Sequence, residues 1–425
     1  MPLDIIQLPP LLFPAPGTDL TRFAVIACDQ FTAEPSYWAQ ADRFVGDAPS
    51  CLRLTLPEVW LSADDRPRIA AIHRTMQDYL RGDVLRPLPA GLMLIERDTG
   101  RGAPRRGVLL AFDLDAYDET PGSTAPIRPT EATVTERVPA RLAIRSEAPF
   151  ELPHILLFAD DPAHTLLEPL FAACADDAPL YDFELMQGGG HITGRLVPPD
   201  ARVQAFFDRL AAHAAPAACR ARYGQTADEA PLVFATGDGN HSMSAAKAHW
   251  ERVKRTLSPA ERQRHPARWV LAELVNLHDE SICFEAVHRL LLHVDPADAL
   301  RFLEGWFAAR QTPDAVCLPL AYRYQGQDHM LSLPLAAGEL PVAALQQALD
   351  AYLAARTQAG IDFIHGTDTL LRLADAPQRL GFLLPDFPKD ALFPYVLSHG
   401  VLPRKTFSMG TALEKRYYLE ARAIR

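Results

Sequence analysis

The sequence predicts an α+β fold in which mixed sheets are flanked by helices. Strand-like apolar runs alternate with amphipathic helical segments along the chain, and short turns between several runs indicate hairpins. Of the 425 residues, 48% are hydrophobic and 22% are charged, a globular composition that excludes a disordered chain. The length allows two joined cores, so we expect two closely packed subdomains, residues 1–225 and 226–425.

The first elements follow from local periodicity and turn chemistry. "FAVIAC" is a buried run that predicts a strand, and Pro35 in "EPSYWAQADRFV" predicts the first turn of a helix. "CLRLTL" alternates like a strand, whereas "DDRPRIAAIHRTMQDYLRGDVL" has apolar residues at helical spacing. "GLMLIERDT" and "RRGVLLAFDLDAYD" predict two strands joined by a turn. This part of the chain therefore contains hairpins as well as helices.

The remaining segments continue this alternation. "EATVTERVPARLAIRSEAPFELPHILLF", which begins at Glu131, predicts extended structure with polar interruptions. "YDFELMQGGGHITGRLV" predicts a hairpin that turns at residues 188–190, and "PPDARVQAFFDRLAAHAA" predicts a helix with proline at its start. Ser258 and Pro259 predict the start of another helix, and "WVLAELVNL" is a buried strand or helix.

Charge and cysteine content limit the partners and the compartment. The net charge of −11 disfavours nucleic acid as a partner, although a local basic cleft would still bind a small phosphate-bearing ligand. The six cysteines form no CxxC pair, which argues against a zinc ribbon or a disulfide framework. No apolar run approaches the roughly 18 residues that span a bilayer. We expect a cytoplasmic protein without zinc, nucleic acid or membrane partners, and its oligomeric state stays open.

One turn, in "PLVFATGDGNHSMSAAKAHWERVK" (231–254), carries a high density of polar groups. A strand end is followed by Gly237 and Gly239, which allow backbone turns that a Cβ would obstruct, and then by a helix from Ser242. The unpaired N–H groups and the dipole of a helix N-terminus favour an anion such as phosphate, and glycine lets the anion approach closely. The turn is therefore a candidate phosphate or nucleotide site.

Asp238, Asn240 and His241 surround that position. They supply a carboxylate, an amide and a titratable imidazole, the groups needed for proton transfer or metal-assisted phosphate chemistry. The alternative is structural: Asp238 and Asn240 close an Asx turn, and Ser242 caps the helix. The sequence pattern alone leaves both interpretations open.

Three other segments offer cations or hydrogen-bond donors for a bound phosphate. The candidates are Arg128 close to Glu131, His288 and Arg289 in "AVHRLL", and Lys405 and Thr406 in "LPRKTFSMG". Each has a structural alternative, respectively a surface ion pair, a solvated helix face and an exposed loop. Glu131 is also a candidate catalytic acid, which would share a magnesium ion with Asp238, since magnesium bound to substrate phosphates needs only one or two carboxylates.

Several motifs together resemble one protein family. "DGNHS" is similar to the DGHHR-type signature of a bacterial domain-of-unknown-function family, DUF1015. Other blocks that resemble this family are "VIACDQFTAEPSYW", "VGDAPSCLRLTLPEV", "RPTEATVTERVPARLAIR", "YDFELMQGGGHITG", "FEAVHRLL" and "PRKTFSMGTALEKRYYLEAR". The resemblance covers nearly the whole chain.

The DGHHR-type motif is in turn similar to that of the ParB and sulfiredoxin superfamily, which includes nucleotide-dependent enzymes and a kinase of free serine. The resemblance implies a ParB/sulfiredoxin-like element around the turn, phosphate contacts from Asp238, Gly239, Asn240 and His241, and ATP or ADP with magnesium as cofactor. Ser242 replaces the arginine of the motif, which removes a bidentate phosphate clamp. A compensating cation is therefore expected elsewhere.

Two functions fit these observations. The first is a phosphotransfer enzyme acting on a small hydroxylated metabolite, with free serine or phosphoserine as the compound that the resemblance implies, in either the kinase or the phosphatase direction. The second is a nucleotide-responsive binding or regulatory protein of ParB-like ancestry that turns over no metabolite. The enzyme needs an acid or base beside the anion site, whereas the binding protein needs only the anion site and a partner surface.

Overall fold

The computed structural model describes residues 2–32, 34–100, 102–132, 138–152, 154–224, 231–410 and 412–425. Its mixed α/β architecture confirms the predicted fold class. The chain forms two compact units, of which the first contains Met1–Ile282, Leu392–Val401 and Gly410–Arg425 and the second contains Cys283–Ala391 and Leu402–Met409. The division expected after residue 225 lies within the first unit.

The helices are mostly short. Those found in the described ranges are α1 (Leu20–Phe23), α2 (Pro35–Val45), α3 (Arg66–Arg81), α4 (Val138–Glu147), α5 (Leu167–Ala173), α6 (Ala201–Ala214), α7 (Pro216–Tyr223), α8 (Asn240–Val253), α9 (Pro259–Arg264), α10 (Pro296–Arg310), α11 (Pro341–Ala354), α12 (Thr367–Ala374) and α13 (Leu392–His399). None of these helices has the length and apolar character needed to cross a membrane.

The strands vary from two to nine residues. They are β1 (Ile6–Gln7), β2 (Leu11–Pro14), β3 (Val25–Ile26), β4 (Leu85–Pro87), β5 (Leu92–Asp98), β6 (Arg105–Asp113), β7 (Ile127–Pro129), β8 (Phe150–Glu151), β9 (Leu156–Ala159), β10 (Tyr181–Glu184), β11 (His191–Val197), β12 (Phe234–Asp238), β13 (Trp269–Asn276), β14 (Phe284–Leu292), β15 (Val316–Tyr324), β16 (Gln327–Leu335), β17 (Gly360–His365), β18 (Arg379–Leu383), β19 (Phe407–Met409), β20 (Tyr417–Tyr418) and β21 (Ala421–Ala423).

The main sheet of the first unit has the order β10-β11-β5-β6-β13-β9-β12-β7, with β1 beside β6. It is mixed, because β12 runs parallel to β7 and β13 runs parallel to β9, while β12 and β9 are antiparallel. A sheet of order β4-β2-β21-β8 and the pair β20-β3 belong to the same unit. The second unit contains the sheet β16-β15-β18-β14-β17, with β19 beside β14.

Most local predictions are confirmed. Helices α2, α3 and α6 and the hairpins β5-β6 and β10-β11 form where the sequence predicts them. Ser258 and Glu261 make a reciprocal capping box at the start of α9, and "WVLAELVNL" forms the buried strand β13. The strand predicted for "CLRLTL" is wrong, because Ser50 Oγ accepts the Leu52 N–H (3.2 Å) and the chain turns into a 3₁₀ helix there.

The extended structure predicted after Glu131 is wrong over Val138–Glu147, which form α4. Pro139 lies in the first turn, where a helix tolerates a missing N–H, and α4 packs against α8. The alternation of apolar residues with Arg141 and Arg145 resembles the two-residue period of a strand. The packing of α4 against α8 nevertheless selects the helix. The helix places both arginines, four residues apart, on one face.

Buried charges tie the C-terminal segment to the main sheet. Glu273 on β13 is fully buried and lies 3.4 Å from Arg105 Nε and 2.5 Å from Arg416 Nη1. The other terminal nitrogen of Arg416 donates to Glu420 at 2.8 Å. Burial would raise the pKa of Glu273, but the two guanidinium groups outweigh it and hold that pKa below its ordinary value. The carboxylate is therefore ionised in the core, and its arginine partners are needed for stability.

We expect Arg416→Met to lower the free energy of unfolding by about 3–5 kcal/mol, because it leaves two buried carboxylates short of a cation. Denaturant unfolding followed by circular dichroism measures this loss. Arg66→Met is the control, since Arg66 pairs with Asp64 at the surface, and its unfolding midpoint should stay at the wild-type value. Equal midpoints for Arg416→Met and the wild type would contradict the structural role of the buried network.

Candidate functional site

The DGNHS turn is shaped by two glycines. Strand β12 ends at Asp238, Gly239 adopts a left-handed conformation (φ 79°), and α8 begins at Asn240. A Cβ on Gly239 would lie 2.9 Å from the Ile155 Cα, and a Cβ on Gly237 would overlap the ring of Phe158. The turn therefore packs so closely on the neighbouring segment that both positions require glycine.

The Asp238 carboxylate has two partners. Its Oδ1 accepts the Gly239 N–H at 2.8 Å, and its Oδ2 lies 3.3 Å from Lys415 Nζ, a pair that is largely shielded from solvent. Lys415 thus supplies a cation at the turn where the motif lacks its arginine. Sequence reasoning missed it, although it lies in the family-like block "PRKTFSMGTALEKRYYLEAR".

Ser242 does not cap α8, so the prediction that Ser242 is the N-cap of this helix is wrong. Gly239 is the N-cap residue, and no side chain makes a capping hydrogen bond there. Because the helix begins two residues earlier than the sequence predicts, Ser242 lies inside the first turn. Its Oγ is 3.3 Å from His154 Nε2, which links the turn to a second group of polar residues.

The structure brings Arg128 and Glu131 to the same edge of the sheet as the turn. Arg128 on β7 pairs in register with Ala235 on β12, and the Thr130 hydroxyl donates to the Thr236 carbonyl at 2.7 Å. Glu131 follows directly and is partly buried. Arg128 Nε donates to the Ala125 carbonyl at 2.7 Å, and burial lowers the pKa of Arg128. His241, in the first turn of α8, is partly buried.

The remaining predicted residues lie in the second unit. His288 Nε2 is 3.2 Å from Thr367 Oγ1, and His288 Nδ1 accepts the Leu384 N–H at 3.2 Å. The Arg289 guanidinium donates to the Lys405 carbonyl (3.2 Å), and the Thr406 hydroxyl donates to the Pro403 carbonyl (2.7 Å). The Arg289 contact joins β14 to the segment that carries Lys405 and Thr406.

Sequence reasoning missed a buried cluster beside the turn. Arg141 on α4 lies 2.8 Å from Glu58 and 3.6 Å from Asp29, and His154 Nε2 lies 3.9 Å from the same Asp29 oxygen. Burial would raise the pKa of Asp29, but His154 and Arg141 hold it well below its ordinary value. Burial lowers the pKa of His154, which keeps its imidazole neutral near neutral pH.

Tyr418 orients the His154 ring. The phenol oxygen accepts the Cys28 N–H at 3.3 Å, and it lies 2.9 Å from His154 Nδ1. Burial raises the pKa of Tyr418, so the phenol stays protonated and its O–H is available for a hydrogen bond with Nδ1. The other ring nitrogen of His154, Nε2, faces Ser242 and Asp29. The imidazole is held in one orientation with an acidic acceptor nearby.

A pocket opens on this cluster. Its volume is about 120 Å³, and His154, Ser242, Tyr418, Arg141 and Glu58 form its polar wall. In the described part of the chain, no group of three His, Cys, Asp or Glu side chains is arranged to hold a metal ion. The arrangement provides cations, an imidazole and buried carboxylates around a small pocket, which suits proton transfer on a small ligand.

The family profile described as "Protein of unknown function (DUF1015)" matches residues 12–358. The chain belongs to this family, which the DGNHS turn and the accompanying blocks predict. The matched range includes Asp29, Arg141, His154 and the whole turn, but ends before Lys405 and Lys415.

Solved structures with weak overall similarity include a conserved hypothetical protein from Pyrococcus furiosus, at 10% identity and a TM-score of 0.33, which covers 74% of this chain and 90% of that one. A free serine kinase variant in complex with ADP has 8% identity and a TM-score of 0.38, covering 74% of this chain and 91% of that one. No curated protein matches the chain. Family membership therefore rests on the sequence match.

We expect Gly239→Ala to destabilise the protein more than Gly224→Ala. Both glycines have a left-handed φ, which costs alanine about 1–2 kcal/mol. Among the described residues, a Cβ at Gly224 meets nothing within 4 Å, whereas one at Gly239 meets the Ile155 backbone, which adds roughly 1–3 kcal/mol of overpacking. Urea unfolding measures both. Equal losses would show that the turn has room to move away from residue 155.

Proposed function

We propose that this protein is a phosphotransfer enzyme that acts on a small hydroxylated metabolite, in the kinase or the phosphatase direction. The observation that carries the proposal is the Asp238–Lys415 pair at a glycine-shaped helix N-terminus, linked through Ser242 to the buried His154–Asp29–Arg141 cluster. An anion site and a proton-transfer site are thus joined within one unit. Free serine and phosphoserine, implied by the family resemblance, are the first compounds to test.

Each residue has a separate role in this proposal. Lys415 and the N–H groups at the start of α8 bind phosphate oxygens, while the glycines keep the approach open. Asp238 takes the proton of the attacking hydroxyl or water, or holds a metal ion. A carboxylate beside phosphate is tolerated only in such a role, because the two anions otherwise repel each other. His154 and Ser242 position the hydroxyl of the metabolite.

The residues present fit a nucleotide phosphate with magnesium. Lys415 lies 3.3 Å from Asp238, so a cation and a carboxylate meet at one turn, and Glu131 follows the neighbouring strand. Asp238 and Glu131 would hold the magnesium ion, and Gly237, Gly239 and Asn240 would border the phosphates. When bound, the nucleotide would supply or accept the phosphoryl group.

One observation favours the second function, a nucleotide-responsive binding protein without turnover. Asp238 Oδ1 accepts the Gly239 N–H, which is the contact of a carboxylate that closes a turn. A carboxylate in that role shapes the anion site and transfers no proton. The two functions therefore make different predictions for a variant without the Asp238 charge. The enzyme would lose turnover, whereas the binding protein has no turnover to lose.

The test begins with a thermal-shift screen of ATP, ADP, serine, phosphoserine and magnesium, since ligands of the native state raise its apparent stability. Phosphate transfer or release is then measured for the compounds that bind. We expect Asp238→Asn to lower turnover at least ~100-fold, the typical contribution of a positioned acid or base, with little change in melting temperature.

The matched control is Asp115→Asn, which changes another Asp–Lys pair (Asp115–Lys254, 2.8 Å) in the same unit and should keep wild-type turnover. Full turnover by Asp238→Asn would assign the carboxylate to the turn and leave the phosphotransfer proposal without its proposed base. Nucleotide binding with no turnover of any tested metabolite by the wild type would support the binding protein instead.

A further inference from the structure

Strand β16 forms a long edge of the sheet in the second unit. Among the described strands, only β15 pairs with it, and the pairing is regular over the nine residues of each strand. The edge strands of the main sheet are shorter, since β10 has four residues and β7 has three. A long, regular edge strand presents a row of backbone N–H and C=O groups that a second strand can pair with.

The turn between β15 and β16 determines which backbone groups of β16 face outward. Gln325 and Gly326 both have a positive φ, 49° and 75°, as in the type I′ turn of a two-residue hairpin loop. In such a hairpin, the flanking pair Tyr324–Gln327 shares two backbone hydrogen bonds, and every second pair along the ladder does the same. The residues of β16 that lie between these pairs therefore direct their N–H and C=O groups away from β15.

The outward-facing residues are Asp328, Met330, Ser332 and Pro334. The first three offer both a donor and an acceptor to a further strand, whereas Pro334 offers its carbonyl alone. Pro334 does not weaken the β15-β16 ladder, because the N–H that it lacks would point outward. A proline in this place is typical of an edge strand. The pairing capacity of the edge is thus concentrated between residues 328 and 332.

The side chains along this edge give little protection against pairing. The segment Gln327–Leu335 contains no Lys or Arg, the residues that most often keep an edge strand single. The carboxylate of Asp328 is already paired with Arg323 on β15, at 3.1 Å. Met330 is apolar and yet 68% exposed, and Ser332 is exposed beside it. The edge therefore has an apolar centre flanked by an acceptor on one side and a hydroxyl on the other.

We propose that β16 pairs antiparallel with β16 of a second copy of this chain, around a two-fold axis at Met330. In this register, Met330 lies opposite its own counterpart, and Asp328 of each copy lies opposite Ser332 of the other. Each of these pairs would share two backbone hydrogen bonds. The two methionine side chains would cover each other, and each Ser332 hydroxyl would donate to an Asp328 carboxylate. The inference is independent of the proposed phosphotransfer.

The side chains select both the register and the occupant. Moving the axis to Leu331 would place Met330 opposite Ser332 and Asp328 opposite Pro334, which separates the apolar side chains and leaves the carboxylate facing a ring without a donor. The axis at Met330 instead matches apolar with apolar and donor with acceptor. Because both sides of this match come from the same strand, the edge is complementary to itself, as a two-fold dimer interface requires.

Sedimentation equilibrium of the full-length protein over a concentration series tests this. We expect a dimer in the wild type. Met330→Lys would place two ammonium groups opposite each other at the axis and should raise the dissociation constant of the dimer at least ~10-fold. Val316→Lys is the matched control, because Val316 is equally exposed (69%) but lies on β15, away from the edge. It should keep the wild-type dissociation constant, and thermal melting of both variants checks that they fold.

A mixture of Met330→Lys and Met330→Glu tests the register. Each variant alone should dissociate, whereas the mixture should form a heterodimer in which opposite charges meet at the axis. Failure of the mixture to associate would refute the axis at Met330. A wild type that stays monomeric up to ~100 µM would overturn the proposal, since even a weak interface is populated at that concentration. Equal dissociation constants for Met330→Lys and the wild type, or equal weakening by Val316→Lys, would also overturn it.

Discussion

The candidate site depends on the neutralisation of one buried carboxylate, Glu273. An uncompensated ion at that position on β13 would cost several kcal/mol, and Arg416 supplies its closest cation. Arg416 is held in turn by Glu420, so the C-terminal segment is fixed against the main sheet. Lys415 and Tyr418 flank Arg416 in sequence, and their contacts with Asp238 and His154 build the two halves of the site. A charge pair in the core therefore determines the geometry of a polar site beside it.

The part of the fold that the sequence predicts is the part determined locally. Helix α3 has apolar residues at helical spacing, and α9 has its capping box, so neither needs distant residues to define it. The helix α4 was not predictable in this way, because its alternating pattern fits a strand as well and only packing against α8 selects the helix. The segment "CLRLTL" was mispredicted for a similar reason. Its alternating apolar and polar residues favour a strand, but the hydrogen bond from the Leu52 N–H to the Ser50 side chain turns the backbone into a 3₁₀ helix.

The candidate site likewise has one part that local sequence predicts and another part that depends on contacts between distant segments. The DGNHS turn was predictable because its glycines, acid and helix N-terminus are consecutive, and it lies within the range that the family model matches. Lys415, Arg141 and Asp29 reach the site from distant segments, and Tyr418 and His154 are 264 residues apart in sequence. Each of them alone looks like an ordinary surface or core residue. Only the fold shows that Lys415 pairs with Asp238 in this turn.

The charges of the site are already paired before any ligand binds, so a phosphate in the proposed reaction would have to displace one partner of an existing ion pair. Lys415 neutralises Asp238, and Arg141 neutralises Asp29 and Glu58. A phosphate that enters the turn competes with the Asp238 carboxylate for Lys415. If the lysine turned to the phosphate oxygens, Asp238 would lose its counter-ion, and its carboxylate would be free to act as a base or to hold a metal ion. Binding of the anion would thus activate the acid beside it, so a carboxylate that closes the turn in the free protein is compatible with one that acts in catalysis.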